Sequence, residues 1–278
     1  MLAPGVYDAL SALLVEQAGF EAAYLSGASI AYTQLGRPDL GLVTASEVAD
    51  VIARIRERTG IPLVVDADTG FGNALNVQRT VEMFERAGRA QSRSRTRTCP
   101  RLRASRRQEP RLTGGDGRQG ARRRRRAQEP GNPHHRRTDA IAVEGFEAAL
   151  ERAEAYLAAG ADMLFVEAPR SAEELSAIAR RFKSRVPLLA NMVEAVGPDE
   201  DARPARRAGL RFVITPGAMV RALAFMAREF LSGLKQTGST AGYRERMLDF
   251  DGLNALLGLP EMKEKGARYD ADRKDAAE

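Results

Sequence analysis

The sequence predicts an α/β fold of the (β/α)8 TIM-type barrel, on three observations. Strand-like and helix-like stretches alternate along most of the chain, the pattern of a parallel sheet with crossover helices. Polar and acidic residues collect just after the strand-like stretches, at the carboxyl ends where barrel active sites lie. The alternation stops once, over residues 89–136, so the barrel is expected to be incomplete, with strand 4, helix 4 and strand 5 falling in that segment. The 278 residues suit a single barrel domain, which commonly runs to about 250 residues. The expected organisation is one α/β-barrel domain over 1–278, with 89–136 anomalous and disordered and 239–278 a C-terminal helical tail.

Taken in order, Ala22 to Ser26 reads as a short strand ending in Gly27, and Pro62 to Asp68 as a buried strand ending in Gly70. Between them, Ala45 to Thr59 places Val48, Val51, Ile52 and Ile55 at helical spacing, with Thr44 or Ser46 available as a cap. After Thr138 the pattern resumes, with a helix over Val143 to Ala159, a strand over Asp162 to Glu167 and a helix over Ala172 to Phe182. Strands follow at Pro187 to Asn191 and Arg211 to Thr215, then a long helix at Met219 to Leu234.

The interruption is compositional. Residues 89–136 hold 16 Arg, no Lys and 3 acidic residues, a net +13 in a chain whose total is +6, so the remainder carries −7. The same segment has two Leu and no Ile, Val, Phe or Met, too little apolar surface to offset the entropy of ordering it. The basic character therefore belongs to one segment, and the rest has the charge of a mildly acidic enzyme. Nucleic acid or another polyanion is the partner such an arm suggests, but no aromatic residues lie between the arginines, and nucleic-acid binding is the weaker reading. No apolar run approaches the roughly 18 residues of a membrane span and no secretory signal is visible, so cytoplasmic location is expected. The single cysteine, Cys99, excludes an intrachain disulfide framework.

Several motifs flank the interruption: Pro4 to Ser11 (PGVYDALS), Tyr24 to Ala28 (YLSGA), Leu35 to Gly41 (LGRPDLG), Val65 to Gly72 (VDADTGFG), Arg137 to Ala140 (RTDA), Phe165 to Ala168 (FVEA) and Leu189 to Met192 (LANM). In this order they resemble the isocitrate lyase and phosphoenolpyruvate mutase superfamily, on the branch of methylisocitrate lyase, dimethylmalate lyase, oxaloacetate decarboxylase and carboxyphosphonoenolpyruvate phosphonomutase. The resemblance covers residues 2–88, 137–196 and 211 to about 270. Where it fails, the family would have a strand ending in Ile-Glu-Asp-Gln and a loop with Cys-Gly-His. Both can be recovered from a shifted reading frame with GC-rich codons. Gln91 to Pro100, read one base earlier, permits Ala-Ile-Gln-Ile-Glu-Asp-Gln-Asp-Leu-Pro. Leu102 to Arg111, one base later, permits Cys-Gly-His-Leu-Asp-Gly-Lys-Ser-Leu-Val, and Ala121 to Arg136 in that frame ends in Ile-Ile-Ala before Arg137. A frameshifted segment is therefore expected, with a weaker suspicion over Gly197 to Leu210. On this reading Cys99, His134 and His135 are shifted remains and carry no chemistry.

Asp66 and Asp68, two residues apart at a strand end, are read as pointing to one side, a pair suited to a hard, oxygen-seeking cation such as Mg2+; an Asp-x-Asp-x-Gly strand end also serves as a turn or cap. The resemblance implies that Asp66 holds Mg2+ directly and Asp68 through water, with Asp39 a further acid behind them. It also implies that Ser26, Gly27 and Ala28 hold an oxygen of a pyruvate moiety by backbone N–H groups, that Arg137 binds substrate oxygens, and that Glu167 and Asn191 belong to the substrate site. Taken alone, Ser-Gly and Pro38-Asp39 are ordinary turns, Arg137 a surface arginine and Glu167 a solvated strand end. The implied activity is Mg2+-dependent carbon–carbon cleavage of 2-hydroxy or 2-alkyl di- or tricarboxylates through a pyruvate enolate, in a chain impaired as written. Oxaloacetate decarboxylation and carboxyvinyl-carboxyphosphonate phosphorylmutase activity are the alternatives. The implied assembly is a homotetramer exchanging its last helix.

Overall fold

Eight strands form one parallel sheet in a computed structural model of the chain, which describes residues 1–68, 70–89, 99–101, 135–192 and 210–275. In chain order they are β1 (Leu2–Val6), β2 (Ala23–Leu25), β3 (Leu63–Asp66), β4 (Cys99–Arg101), β5 (His135–Thr138), β6 (Met163–Val166), β7 (Leu188–Asn191) and β8 (Phe212–Thr215). The hydrogen-bonded order is β4-β3-β2-β1-β8-β7-β6-β5. The pairing of β1 with β8 brings the chain's first strand beside its last. This is the α/β barrel arrangement the alternation implied, with one correction. Strands occupy positions 4 and 5, as Cys99–Arg101 paired to β3 and His135–Thr138 paired to β6. Parallel pairing is made by backbone groups, so even a segment without apolar side chains can extend an exposed strand edge. What is incomplete is the ladder, which is open between β4 and β5 among the described residues.

The helices are α1 (Ala9–Gln17), α2 (Gly27–Ile30) running into a π-helical turn at Ala31–Leu35, α3 (Ala45–Arg58), α4 (Ala74–Arg89), α5 (Ala140–Val143), α6 (Phe146–Ala158), α7 (Ala172–Phe182) and α8 (Ala218–Thr237). The α3 helix shows why the sequence folds locally. Thr44 and Glu47 form a reciprocal capping box that satisfies first-turn amides. Val48, Val51, Ile52 and Ile55 are buried, each contributing roughly 1.5–3 kcal/mol. The helix expected over Val143 to Ala159 is two, α5 and α6. They are divided at Gly145, whose φ of 97° is a left-handed conformation that glycine adopts without strain.

Strand alternation sorts the core into layers. Ala3, Ala22, Tyr24, Val64, Met163, Phe165, Leu189 and Ile214 pack together inside the sheet. Their neighbours in sequence face the helices in two larger clusters, one containing Leu25, Leu63 and Val65, the other Leu164, Leu188 and Val213. β1 was not legible in the sequence, because Pro4 and Gly5 weaken a strand pattern. Gly5 is required by a close approach: a β-carbon there would lie 2.0 Å from the Pro216 carbonyl oxygen.

The chain divides into two compact units, Met1–Arg221 and Ala222–Glu278. The second comprises most of α8, a 3-10 turn (Ala241–Arg246), α9 (Phe250–Leu256) and α10 (Leu259–Asp275). Within it, the rings of Phe230 and Tyr243 meet edge to face at 5.3 Å, and Arg246 pairs with Glu229 at 2.8 Å. Among the described residues, no helix is long and apolar enough to cross a membrane.

Candidate active site

The inward face of the sheet, apolar in its lower layers, turns polar where the strands end. In β2 and β3 the register sets Tyr24 beside Val64. Asp66, two residues beyond Val64, therefore comes up on the same face and lies within reach of the phenol. The Tyr24 hydroxyl donates to Asp66 Oδ2 at 2.8 Å, and the Asp68 N–H donates to Asp66 Oδ1 at 3.0 Å. β3 ends at Asp66, so strand alternation does not place Asp68. A turn does: Asp68 has a φ of 46°, a left-handed conformation that aspartate tolerates better than most residues. Tyr24 is 1% exposed. Burial, then the adjacent Asp66 carboxylate, raises its hydroxyl well above the usual tyrosine range, which keeps the phenol protonated.

Across the barrel, Arg137 emerges from β5 into a clamp of acids. Its Nε donates to Asp139 Oδ1 at 2.8 Å, and its Nη2 lies 2.7 Å from the same oxygen and 3.0 Å from Glu167 Oε2. The guanidinium also sits 5.0 Å from the centre of the Phe165 ring. Burial works against its charge, but Glu167, Asp139, Asp66 and Tyr24 together raise its pKa, so Arg137 is a permanent buried cation. Asn191 at the end of β7 donates from Nδ2 to Glu167 Oε1 at 3.3 Å. Two acceptors here, Asp139 Oδ2 and Asn191 Oδ1, are buried without a hydrogen-bond partner among the described residues. Ala168, directly after Glu167, has a φ of 57°, strain of the kind that clusters at functional sites.

The third element is the start of α2. Ser26 is buried, accepts from the Ser29 N–H at 3.2 Å and caps the helix. Gly27 and Ala28 supply first-turn amides that no intrahelical carbonyl satisfies. A β-carbon added to Gly27 would meet no atom within 4 Å. Ser29 donates to the Pro216 carbonyl at 3.0 Å and so ties this turn to the end of β8.

The contacts therefore bring together Asp66 with Asp68, and Arg137 with Glu167 and Asn191, while the electrostatic influence of Asp66 on Arg137 links the two sets. Asp39 lies in an exposed stretch after the π-helical turn. Two participants escaped the sequence reading. Tyr24 looked like a strand residue, and Asp139 like part of a motif; their alternation with Ser26 and Arg137 was the available signal. The recovered Ile-Glu-Asp-Gln and Cys-Gly-His positions, His134 and nearly all of Gly197 to Leu210 lie outside the described residues. The β4 strand is built instead from Cys99–Arg101, with Arg101 opposite Asp66.

For Mg2+ the donor set fits. Asp66 and Asp68 are hard oxygen donors adjacent in space, and Mg2+ is commonly held by one or two carboxylates with the remaining positions taken by water and substrate. Among the described residues, no group of three or more His, Cys, Asp or Glu residues gathers.

A parallel α/β barrel whose strand ends gather paired acids, a clamped arginine and helix-start amides has its polar groups at the face where barrel enzymes carry their active sites. The phosphoenolpyruvate phosphomutase family model matches residues 1–92 and 134–234. The chain is 38% identical over 274 residues to the 2-methylisocitrate lyase of Aeropyrum pernix, covering 96% of this chain and 86% of the relative. It is 34% identical over 288 residues to the chloroplastic carboxyvinyl-carboxyphosphonate phosphorylmutase of Arabidopsis thaliana, covering 97% and 80%. The crystal structure of a 2,3-dimethylmalate lyase superposes with a TM-score of 0.83 at 29% identity, covering 97% of this chain and 93% of that one. The chain belongs to the phosphoenolpyruvate mutase/isocitrate lyase superfamily, whose lyases and phosphomutases are its relatives. The family match leaves residues 93–133 unassigned, within the arginine-rich interruption.

Proposed function

We propose that this site breaks a carbon–carbon bond in a 2-hydroxy or 2-alkyl di- or tricarboxylate, releasing pyruvate or a related oxoacid. The observation that carries the reading is Arg137, held by Asp139 and Glu167 on the face that also presents Asp66. Such a cation, already oriented, forms charge-assisted hydrogen bonds to a substrate carboxylate with little rearrangement. Similarity to a 2-methylisocitrate lyase over nearly the whole chain supports the reaction class.

In this mechanism Asp66 would be the direct holder of Mg2+ and Asp68 would act through water, with Asp39 a further acid behind them. When bound, Mg2+ supplies positive charge that stabilises an enolate oxygen. The amides after Ser26, those of Gly27 and Ala28, bind an oxygen of the pyruvate moiety where negative charge develops. Arg137 neutralises a carboxylate of the substrate, and Glu167 and Asn191 fix the arginine and line the same wall. The proton that ends the reaction comes, in the superfamily mechanism, from a loop cysteine; in this chain Cys-Gly-His appears only in the shifted frame, near 102–104. The chain as written is therefore proposed to be impaired through a frameshifted 89–136 segment. A phosphorylmutase or oxaloacetate decarboxylase activity is the second reading, supported by the Arabidopsis relative.

The protein is proposed to be a cytoplasmic homotetramer acting on a small-molecule carboxylate, without nucleic acid as partner. Exposed Phe225, Leu231 and Phe250, at 69%, 58% and 81%, give the second unit apolar surface suited to assembly. The whole chain, 1–278, is proposed to form one barrel-type enzyme with a helical tail at 239–278.

The test compares the chain as written with a frame-restored version carrying Ile-Glu-Asp-Gln and Cys-Gly-His. Pyruvate release from methylisocitrate, dimethylmalate and oxaloacetate is followed with a coupled dehydrogenase. The restored chain is expected to be active, to lose activity with a chelator and to regain it with Mg2+. Full activity in the unrestored chain would overturn the frameshift, and a folded but inactive restored chain would shift the assignment to phosphonate chemistry.

A further inference from the structure

A buried tyrosine hydroxyl is costly to leave without a hydrogen-bond partner, about 1–3 kcal/mol. A phenylalanine would fill the same space among Ala22, Val64 and Phe165 without that demand. Tyr24 nevertheless places its hydroxyl 2.8 Å from Asp66 Oδ2, from a strand 42 residues away in sequence. The other carboxylate oxygen, Oδ1, accepts from the Asp68 N–H at 3.0 Å. Each oxygen thus has a donor approaching from a different element, one from β2 and one from the turn after β3. A carboxylate held at both oxygens can neither rotate about its terminal bond nor swing to another rotamer without breaking one of these part-buried hydrogen bonds. An ionised carboxylate offers about four lone-pair sites, and these two donors take two of them.

We propose that Tyr24 is a positioning residue for divalent-cation binding: its hydroxyl holds in place the Asp66 carboxylate that, with Asp68, would hold the cation. The inference rests on the reading of Asp66 as a metal-holding acid, and it assigns the orienting task to β2. The same strand carries Ser26, Gly27 and Ala28 at its end, so a single element sets both the cation's first ligand and the amides that face the substrate. In this role Tyr24 acts through Asp66, to which its hydroxyl donates a hydrogen bond.

The experiment uses the full chain and Mn2+ as the probe, with free Mn2+ read by electron paramagnetic resonance, so no enzymatic turnover is needed. Tyr24→Phe removes the hydroxyl alone and is expected to weaken Mn2+ binding by about 10–100-fold, the usual effect of losing a group that orients a ligand. Circular dichroism and thermal melting accompany each titration. A role confined to packing would change the melting temperature and leave the Mn2+ dissociation constant where it was, and that result would overturn the proposal. Replacing Tyr24 by 4-aminophenylalanine keeps the ring and restores a donor, so it is expected to recover most of the affinity. Should Tyr24→Phe fail to fold, the aniline variant decides alone, and loss of binding in it overturns the proposal. Absence of Mn2+ binding by the unsubstituted chain would overturn the metal-site reading together with this inference. Equal affinity of the unsubstituted chain and Tyr24→Phe would overturn this inference alone.

Discussion

The two sides of the strand-end site are built on different electrostatic plans. On the β2–β3 side, a neutral phenol and a backbone amide hold the carboxylate of Asp66 in place, with Asp68 beside it. On the β5–β7 side, a buried arginine is matched by two carboxylates at 2.7 and 3.0 Å. Neutral donors orient an acid without cancelling its charge, so the first side keeps its negative field for a cation. The second side is a buried ion cluster of one cation and two acids, and its fold depends on their pairing. The difference teaches that substitutions on the two sides should separate function from stability. On the β2–β3 side they should cost binding, and on the β5–β7 side they should cost the structure as well.

The largest effect is expected from Arg137→Ala. It leaves Asp139 and Glu167 facing one another without their shared cation, and breaking a buried pair in this way costs about 3–5 kcal/mol. Chemical denaturation should show that loss, and a change under about 1 kcal/mol would break the comparison by placing Arg137 with surface ion pairs. Next comes Asp66→Ala, expected to abolish Mn2+ binding and, in the frame-restored chain, to reduce pyruvate release at least about 100-fold. Its stability cost should stay near the 1–3 kcal/mol of an unpartnered buried hydroxyl, clearly below that of Arg137→Ala.

A subtler expectation concerns alkaline pH. Tyr24 is raised well above the ordinary value of 10.0 by burial and by Asp66. The folded state therefore holds this proton after the unfolded chain has released it. Stability linked to Tyr24 is fully present below pH 10, and is lost as pH rises through the folded-state value. Absorbance titration at the phenolate band should show Tyr24 ionising only with unfolding, and Tyr24→Phe should flatten the alkaline decline in melting temperature. An unchanged decline would remove Tyr24 as its source. The smallest effect is expected far from both sides: Thr44→Ala removes the α3 cap at a cost of about 1 kcal/mol, with Mn2+ binding untouched. Any change in metal affinity there would blur the contrast between the two sides.

Much of this was written locally. The spacing of Val48, Val51, Ile52 and Ile55 specified α3, Thr44 or Ser46 was offered as its start and the structure uses Thr44, and the apolar runs before Asp66, Glu167 and Asn191 specified buried strands. The motifs carried by Ser26, Gly27, Asp66, Asp68, Arg137, Glu167 and Asn191 pointed to the family and to the residues now found at the strand ends. Near-neighbour patterns such as these survive in one dimension because helices and strands repeat every few residues. The composition of residues 89–136 likewise announced, without any structure, that the pattern breaks there.

Other features needed the pairing order of the sheet. That strands fill positions 4 and 5 despite their side chains is a matter of backbone pairing, to which sequence patterns are blind. Asp68 was expected to follow the pleat, and a left-handed turn places it instead. The demand for Gly5 comes from the Pro216 carbonyl across the β1–β8 join. The Tyr24 hydrogen bond to Asp66, and the reach of Asp66 to Arg137, connect residues on different strands, whose separation along the chain says nothing about their distance in space. Local periodicity determined which residues could face inward. Only the register of one parallel strand against the next decided which of them meet, because a side chain's partners across a sheet are fixed by hydrogen bonds between backbones that carry no sequence of their own.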